Sequence, residues 1–435
     1  MWSFSPISKT SLSISLRLQE LAVDHGTPAV AAPEVKGRKR ELRVLEVFSS
    51  LGVGGAETWL LSLLKYFREA EDSLPVTVRF DVLLTGGEKA RFDDEAIGMG
   101  ARLFYVPFTR SKAIDFAREF RRILAGGNYD AVHDHQDYIA GLHFLLGAGH
   151  LPRVRIAHVH NPLYHRSSYE NGLRRRMVKA TGKRLLGRFA THILGTSRQI
   201  VEEYGFADFV SRGVTLGVAH CGFDVGLYER PYEDLHAEVC QEMGWPESAK
   251  IVLFVGRLEG ASITSMGREM THKNPAFALD IARECMAKDE RVRLIMVGAG
   301  ETKKKEFAAM VEGWGLAEKI RFTGVRGDVP RLMGGANLLL FPSLAEGLGM
   351  VVVEAQAAGL PVLASDTTPR ECVVVADLVE FFSLAASPDR WADHAIELLS
   401  RVRPASDEAA AAVQASPFSI ENSAARLSQL YAGIS

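Results

Sequence analysis

Cysteine is scarce in this sequence. Four cysteines occur among 435 residues, and no two of them form a C-x-x-C pair. Such wide spacing suits neither a zinc knuckle nor a disulfide framework, and it predicts a reducing compartment such as the cytoplasm. The cysteines are Cys221, Cys240, Cys285 and Cys372.

Long apolar runs and an excess of positive charge are also missing. No uninterrupted apolar run approaches the ~20 residues that a membrane-spanning helix needs. The formal net charge is −2, whereas nucleic-acid binding depends on an excess of Lys and Arg. We therefore expect no membrane span and no nucleic-acid partner, and attachment to a membrane surface stays open.

The length of the chain exceeds what one hydrophobic core usually supports, so we expect two domains of roughly 200 residues each. The first forty residues differ from the rest, because they are rich in Ser and contain no acid before Glu20. That composition resembles a transit peptide. The alternative is a disordered tail or an early start codon, and we expect residues 1–41 to be a disordered extension.

Strands, glycine turns and helices alternate along the chain. The first series opens at Arg43 with "RVLEVFSS", and the second opens at Ile251 with "IVLFVGRL". This alternation predicts parallel sheets covered by helices. We expect an α/β protein with two Rossmann-like domains, residues 42–225 and 226–416, facing each other across a cleft. A C-terminal helix over residues 417–435 can cross back to the first domain.

Two glutamates flank a glycine turn in "FPSLAEGLGMVVVEAQAAG". The pattern predicts a strand, a loop with Glu346, and a helix that holds Glu354 and ends at Gly359, although three valines also suit a strand. Amides at a helix N-terminus bind phosphate, and a carboxylate accepts hydrogen bonds from hydroxyls of a sugar or ribose. The alternative for each glutamate is a solvated surface charge. The predicted phosphate-binding amides belong to Gly347, Leu348, Gly349 and Met350.

An anionic ligand needs cations, and two stand at the ends of predicted elements. Arg257 follows the strand "IVLFV", and Lys273 precedes an apolar helix. Arg offers a planar fork of donors and Lys a point charge, a pair that suits a diphosphate. Taken alone, each would be an ordinary surface residue.

The turn "LGVGGAE" after the first strand is rich in glycine. It could begin a dinucleotide-binding fingerprint, but Glu57 stands where the third glycine should be. One alternative is a loop whose bare backbone at Gly54 and Gly55 closes over a phosphate from the opposite domain. The other is a tight turn without a ligand.

Histidines gather at two predicted strand ends, in "VHDHQDY" and "AHVHNP". Zinc would need three or four converging ligands, which this spacing does not force. We expect a polar wall on the acceptor side, with one histidine orienting or deprotonating a hydroxyl. A hydrogen-bonded structural role is the alternative. The acceptor-side candidates are His133, His135 and His160, and no metal ligand is expected.

A basic segment lies between residues 166 and 188. It could meet anionic lipid or form a solvated helix face. Its cations, set against Glu170 alone, are Arg166, Arg174, Arg175, Arg176, Lys179, Lys183, Arg184 and Arg188.

With these motifs in view, the chain resembles retaining glycosyltransferases of family 4, which have the GT-B fold. The resemblance runs from about Leu42 to the C-terminus, and the stretch around the glutamate pair looks like the exopolysaccharide and capsule subgroup. The motifs include "GGAE" at Gly54, "HDHQDYIAGL" at His133, "FVGRL" at Phe254, "HKN" at His272, and Glu346 and Glu354 with seven residues between them.

The resemblance also implies roles for single residues. Arg257 and Lys273 would bind the donor diphosphate, while Glu346 would contact the transferred sugar and Glu354 the ribose. Residues around Val325 would pack against the base. The implied catalytic set is His135, Glu346, Arg257 and Lys273. The chain departs from the family between residues 258 and 273, where the connection is longer than usual.

The function implied is transfer of a sugar, with retention, from a nucleoside-diphosphate sugar to a hydroxyl. A UDP-sugar is the favoured donor, and a glycan or lipid-linked acceptor in polysaccharide biosynthesis is expected. No cofactor is expected, and the lack of a D-x-D pair at the donor loop predicts independence of metal. The rivals are a sugar-nucleotide epimerase of GT-B fold and a non-catalytic module that binds nucleotide sugars. Peripheral contact with an anionic membrane, at its inner face, remains open.

Overall fold

The structure is a computed structural model. It describes residues 39–162, 173–259, 263–265, 268–401, 403 and 406–434. Residues 1–38 of the expected extension over residues 1–41 lie outside this description. The first strand begins at Arg40.

The first sheet has seven parallel strands in the order β3-β2-β1-β4-β5-β6-β7. The order reverses between β1 and β4, and such a switch point opens a crevice at the carboxyl ends of the strands. The strands are β1 (Arg40–Phe48), β2 (Val76–Leu84), β3 (Arg102–Tyr105), β4 (Ala131–Asp134), β5 (Val154–Val159), β6 (His192–Gly195) and β7 (Thr215–Val218).

The second sheet has six parallel strands in the order β12-β11-β8-β13-β14-β15, with its switch point between β8 and β13. The long connection after Leu258 contains an antiparallel hairpin of β9 (Ile263–Ser265) and β10 (Arg268–Met270). The sheet strands are β8 (Lys250–Val255), β11 (Val292–Val297), β12 (Ile320–Gly324), β13 (Leu338–Phe341), β14 (Val362–Ser365) and β15 (Val379–Phe382).

Helices cover both faces of each sheet, which explains why the central strands are apolar on both sides. The helices of the first half are α1 (Gly55–Glu69), α2 (Asp93–Gly98), α3 (Ala113–Gly127), α4 (Ala140–Leu146), α5 (Leu173–Phe189) and α6 (Arg198–Tyr204). Those of the second half are α7 (Tyr232–Met243), α8 (Pro275–Lys288), α9 (Glu301–Gly313), α10 (Val329–Gly335), α11 (Met350–Ala357), α12 (Pro388–Leu399), α13 (Ser406–Gln414) and α14 (Ile420–Tyr431). Short 3-10 helices span Asp137–Ile139, Ala207–Arg212, Val225–Tyr228, Arg370–Cys372 and Ala376–Leu378.

The C-terminal helix α14 packs against the first sheet, not the second. Ile420, Leu427 and Tyr431 are buried in the core that contains Trp59. Trp59 Nε1 also donates a hydrogen bond to Ser423 Oγ at 3.0 Å. The last helix therefore returns to the N-terminal domain and brings Tyr431 beneath the carboxyl ends of its strands.

The α/β architecture with two parallel sheets confirms the fold class that the alternating pattern predicts. Among the described residues, no helix combines the length and the apolar character that crossing a bilayer requires. All four cysteines are buried as free thiols.

Candidate active site

The predicted donor residues of the second domain gather at the switch point of its sheet. Arg257 follows β8, and Glu346 lies in the loop between β13 and α11. Lys273 precedes α8, whose N-terminus is next to the same loop because Leu344 N donates to His272 O at 2.7 Å. The topology therefore brings together residues that are far apart in the sequence.

Lys273 and Glu346 form an ion pair, with Lys273 Nζ 2.7 Å from Glu346 Oε1. Their side chains are 17% and 8% exposed, so the pair is largely withdrawn from water. The ammonium also lies 5.0 Å from the centre of the Phe341 ring. A Cβ at Gly256 would come within 3.1 Å of Lys273 Cγ, so this glycine leaves room for the lysine stem.

Glu354 belongs to the same group of charges. Burial raises the pKa of its carboxyl to about 7, and the positive charge of Lys273 acts in the opposite direction. Its carboxyl also lies close enough to add to the raised pKa of the buried Tyr228 hydroxyl, for which burial is the larger cause. One ammonium group therefore interacts with both glutamates of the pair.

Helix α11, which carries Glu354, settles the helix-or-strand ambiguity of the three valines. Gly349 adopts a left-handed conformation (φ 90°) as N-cap, and Met350 begins the helix. At the other end Leu360 N bonds to Ala355 O and Gly359 N to Gln356 O, with Gly359 at φ 65°. These two backbone hydrogen bonds form a Schellman motif, as expected for a helix that ends at glycine. Leu348 is buried in the hydrophobic core of the second domain.

The loop that carries Glu346 touches the first domain. Ser197 Oγ donates to Gly347 O at 2.6 Å, and Arg198 N donates to Glu371 Oε1 at 2.8 Å. A Cβ on Gly347 would lie 2.1 Å from His160 O, which no side chain could tolerate without movement. Glycine at residue 347 is therefore required for this close approach of the two domains.

The glycine turn of the first domain reaches Arg257 from the opposite side. Arg257 Nη2 donates to Val53 O at 2.6 Å. A Cβ on Gly54 would lie 2.3 Å from Glu57 Oε2 and 3.5 Å from Arg257 Nη2, whereas one on Gly55 would meet open space. Burial raises the pKa of Glu57, and Arg257 partly offsets that rise. The turn thus closes over a donor-side arginine.

Val325 stands at the carboxyl end of a neighbouring part of the same sheet. It follows β12, the edge strand two positions from β8, and is 36% exposed. Next to it, Arg326 binds Asp328 (Nε to Oδ1, 2.7 Å) and Glu242 (Nη1 to Oε1, 2.8 Å). This ion-pair network holds the connection after β12 in place beside the exposed valine.

The histidines form two hydrogen-bonded pairs across the adjacent strands β4 and β5. His133 Nε2 lies 3.2 Å from His158 Nδ1, and His135 Nδ1 lies 2.8 Å from His160 Nε2. The two pairs lie one above the other with tilted ring planes. The ring centres are 4.1 Å apart for His133 and His135 and 4.2 Å apart for His158 and His160. Trp59 faces this histidine stack (His133, His135, His158 and His160), with ring centres at 5.5–6.4 Å.

Two residues that the sequence analysis missed hold the stack from below. Glu46 Oε2 lies 2.7 Å from His135 Nε2. The hydroxyl of Tyr431 donates to Glu46 Oε1 at 2.9 Å and lies 2.9 Å from His133 Nδ1. One signal was available, because Glu46 is a charge within an otherwise apolar strand. Tyr431 gave none, since only the returning C-terminal helix brings it here.

Burial lowers the pKa of three of these histidines. It holds the pKa of His135 and of His158 well below the ordinary value and lowers that of His160 to about 3, with the neighbouring rings adding to the effect. The rings of His135, His158 and His160 are therefore neutral near pH 7. His133, an expected member of the polar acceptor wall, is 1% exposed. His160 is the more exposed member, and its carbonyl faces Gly347.

A metal could also be held here. One ring nitrogen from each of His133, His135 and His158 lies within 4.8 Å of the other two. The sequence did not show this convergence, because it depends on β4 and β5 being neighbours in the sheet.

Comparison with known proteins agrees with this geometry. A family model for "Glycosyltransferase Family 4" matches residues 53–225, and one for "Glycosyl transferases group 1" matches residues 249–401. The chain belongs to the family 4 glycosyltransferases. The resemblance that the motifs indicate is confirmed.

Relatives and solved structures extend this likeness over most of the chain. EpsF, named as a glycosyltransferase of Bacillus subtilis, is 29% identical over 83% of this chain and 89% of its own. CapH, a capsular polysaccharide biosynthesis glycosyltransferase of Staphylococcus aureus, is 25% identical over 83% and 91%. The crystal structure of HepE from Anabaena with UDP and glucose has a TM-score of 0.69 at 19% identity, covering 89% of this chain and 98% of its own. The last likeness supports the GT-B fold alone.

Proposed function

We propose that this glycosyltransferase moves a sugar, with retention, from a nucleoside-diphosphate sugar to a hydroxyl of a glycan or lipid-linked acceptor. The observation that carries the proposal is the arrangement around Lys273. Its ammonium pairs with Glu346 and interacts with Glu354. The glycine turn of the opposite domain approaches the same cleft through Arg257. Both groups lie at sheet switch points, where α/β proteins bind ligands.

Each donor residue has a role that its chemistry suits. Negative charge develops on the departing diphosphate, and preorganised cations stabilise it. Lys273 and Arg257 supply those cations, and backbone amides from Gly347 to Met350 add donors at the start of α11. Glu346 and Glu354 accept hydrogen bonds from the sugar and the ribose, while Val325 packs against the base.

UDP is the nucleotide that we propose, and polysaccharide biosynthesis is the process. The structure of HepE with UDP and glucose supports the choice of nucleotide, and the name of CapH supports the choice of process. On the acceptor side, we assign the contact with the incoming hydroxyl to His160, whose ring is hydrogen-bonded to His135 behind it. Because no D-x-D pair stands at the donor loop, we propose that donor binding needs no metal.

The test is a panel of nucleotide sugars assayed for release of free nucleoside diphosphate, with and without glycan acceptors. We expect one donor to be consumed and its consumption to rise with acceptor. Lys273→Ala should abolish this release, whereas Lys305→Ala, at an exposed lysine of α9, should not. Conversion of the donor to an epimer without an acceptor would identify an epimerase instead. Binding without any turnover would identify a non-catalytic module.

We also propose peripheral contact with anionic membranes through α5. Arg176, Arg184 and Arg188 are exposed and recur at multiples of four residues, so they share one helix face. Met177 beside them is 62% exposed. Each basic residue near an anionic surface contributes about 1 kcal/mol, falling with ionic strength. Arg166 and Glu170 lie outside the described residues, as do the side chains of Arg174 and Arg175.

Not every cation of the basic segment faces outward. Lys183 Nζ lies 5.4 Å from the centre of the Phe206 ring, and burial lowers its pKa. We expect sedimentation with anionic but not neutral liposomes, lost in an Arg184→Glu, Arg188→Glu variant. Arg118→Glu with Arg122→Glu, on the exposed face of α3, is the matched control. Failure of the wild type to bind anionic liposomes at low salt would leave α5 as a solvated face.

A further inference from the structure

We propose that His133, His135 and His158 of the histidine stack bind one divalent transition-metal ion, of which Zn²⁺ is the type that imidazole ligands suit. His160, which we assign to the incoming hydroxyl, stays outside the ligand set. This site is separate from the donor diphosphate, whose cations are Lys273 and Arg257. The metal gives a structural role to these histidines. The transfer reaction alone does not require so many of them, or that they be so deeply buried.

The first line of support is the spacing of ring nitrogens. Zinc binds imidazole nitrogens at about 2.0–2.1 Å in a tetrahedron, which places two such nitrogens about 3.3 Å apart. His133 Nε2 and His158 Nδ1 are separated by 3.2 Å. A nitrogen of His135 lies within 4.8 Å of both, and His160 Nε2 is 2.8 Å from His135 Nδ1. One pair of nitrogens is thus already at the separation that zinc requires, and the nitrogen of His135 lies close enough to complete a three-histidine site.

The second line of support is what holds the far side of the rings. Histidines that bind metals commonly donate their other N–H to a carboxylate, a hydroxyl or a backbone carbonyl. His135 Nε2 faces Glu46, and His133 Nδ1 faces the Tyr431 hydroxyl. Because Tyr431 donates its own proton to Glu46, its oxygen accepts from His133 Nδ1–H. His133 Nε2 and His135 Nδ1 are then left as lone pairs that point toward the partner rings.

His158 fits the same scheme after one tautomer shift. Its Nδ1 faces His133, so a metal requires the ring proton to stand on Nε2. His158 Nε2 is buried and makes no hydrogen bond among the described residues, yet the Ala219 backbone lies near enough to favour a proton on this ring. The shift moves one proton between two nitrogens of one ring, and no proton leaves the site.

The third line of support is charge. Glu46 is 1% exposed, and its partners in the described part of the chain are His133, His135 and Tyr431, with no Lys or Arg among them. A buried carboxylate without a cation is costly. A divalent ion among the histidines supplies the missing positive charge, and neutral imidazoles are the form in which histidine binds a metal.

The experiment measures metal in the tag-free full-length protein. After incubation with Zn²⁺ and gel filtration, we expect about one zinc ion per chain by mass spectrometry, as one tetrahedral site requires. Co²⁺ should give the visible spectrum of a tetrahedral nitrogen site. Zinc at the background level, together with no cobalt spectrum, would overturn the proposal and leave the stack as a hydrogen-bonded network.

Variants then locate the ion. His133→Gln with His158→Gln should lose the metal, whereas His150→Gln, at an exposed histidine outside the stack, should keep it. Glu46→Gln should weaken Zn²⁺ binding about 10–100-fold, the usual effect of removing an outer partner. Metal retained in the double variant would overturn the site. If that variant does not fold, X-ray absorption of the wild type decides, because thiolate or oxygen-only ligation contradicts an imidazole shell.

Discussion

Lys273 Nζ lies 2.7 Å from Glu346 Oε1, in a largely buried ion pair between the start of α8 and the loop before α11. Each partner compensates the charge of the other in the absence of a ligand. A bound diphosphate would compete with Glu346 for the ammonium, and a bound sugar would take up the carboxylate. With the donor bound as proposed, the pair would couple its phosphate and sugar ends.

Replacement of Glu346 by Gln should lower turnover far more than it lowers affinity for UDP. In the proposed function the lost carboxylate contacts the sugar, and its removal leaves the Lys273 ammonium free for phosphate. Calorimetry with UDP, beside a turnover assay with the full donor, checks this. A loss of UDP affinity as large as the loss of turnover would place Glu346 on the nucleotide.

Lys273→Ala and Arg257→Ala should each weaken UDP binding, because each removes a charged hydrogen-bond donor. The expected loss is about 1.5–3 kcal/mol per residue. Lys305→Ala serves as the control in the same titration. If both active-site variants bind UDP as tightly as the wild type, the phosphate site lies elsewhere.

Gly347→Ala should impair turnover because the added methyl group would push apart the two domains where they approach each other. Its Cβ would meet His160 O at 2.1 Å and Thr196 Oγ1 at 3.0 Å, so the loop must move away from β5 and β6. A displacement near 1 Å can cost about 100-fold in rate. Gly126→Ala in α3, where no atom lies within 4 Å of the new Cβ, is the control. Wild-type turnover in Gly347→Ala would show that this contact is dispensable.

The fold was largely predictable because strand and helix periodicity is local. The switch from strand to glycine turn to helix appears directly in the sequence, and so does the glycine that ends α11. The family was predictable because its motifs are short and specific. Contacts across the sheet were not, since they depend on which strands become neighbours.

The first domain shows where prediction from the sequence stopped. Glu46 and Tyr431 are 385 residues apart, and only the return of α14 joins them. The burial of His133 could not be predicted either, because an HxH pattern at a strand end does not say what covers it. Here Trp59 and Tyr431 cover it.

Donor binding should not require an added metal ion. In the proposed function, Lys273 and Arg257 supply the positive charge that Mg²⁺ or Mn²⁺ would otherwise bring to the diphosphate. UDP affinity measured by calorimetry should therefore be the same in EDTA as in Mg²⁺ or Mn²⁺. A clear rise in affinity with either ion would contradict this, whatever metal the histidine stack holds.

Glu354→Gln should change how stability depends on pH. Burial raises the pKa of the Glu354 carboxyl from 4.5 to about 7, so between these values the folded protein keeps a proton that the unfolded chain releases. The stabilisation from that proton is complete below the unfolded pKa and is lost as pH rises through the folded pKa. Glutamine cannot ionise and escapes this loss.

The free energy of unfolding of Glu354→Gln, relative to wild type, should therefore rise as pH increases from about 5 to about 8. Urea unfolding at several pH values measures it. Glu318→Gln, at a carboxylate with a 95% exposed side chain, should show no such trend. Parallel curves for Glu354→Gln and wild type would mean that this carboxyl is already charged throughout the range. Its proposed contact with the ribose would then form without any change of protonation near neutral pH.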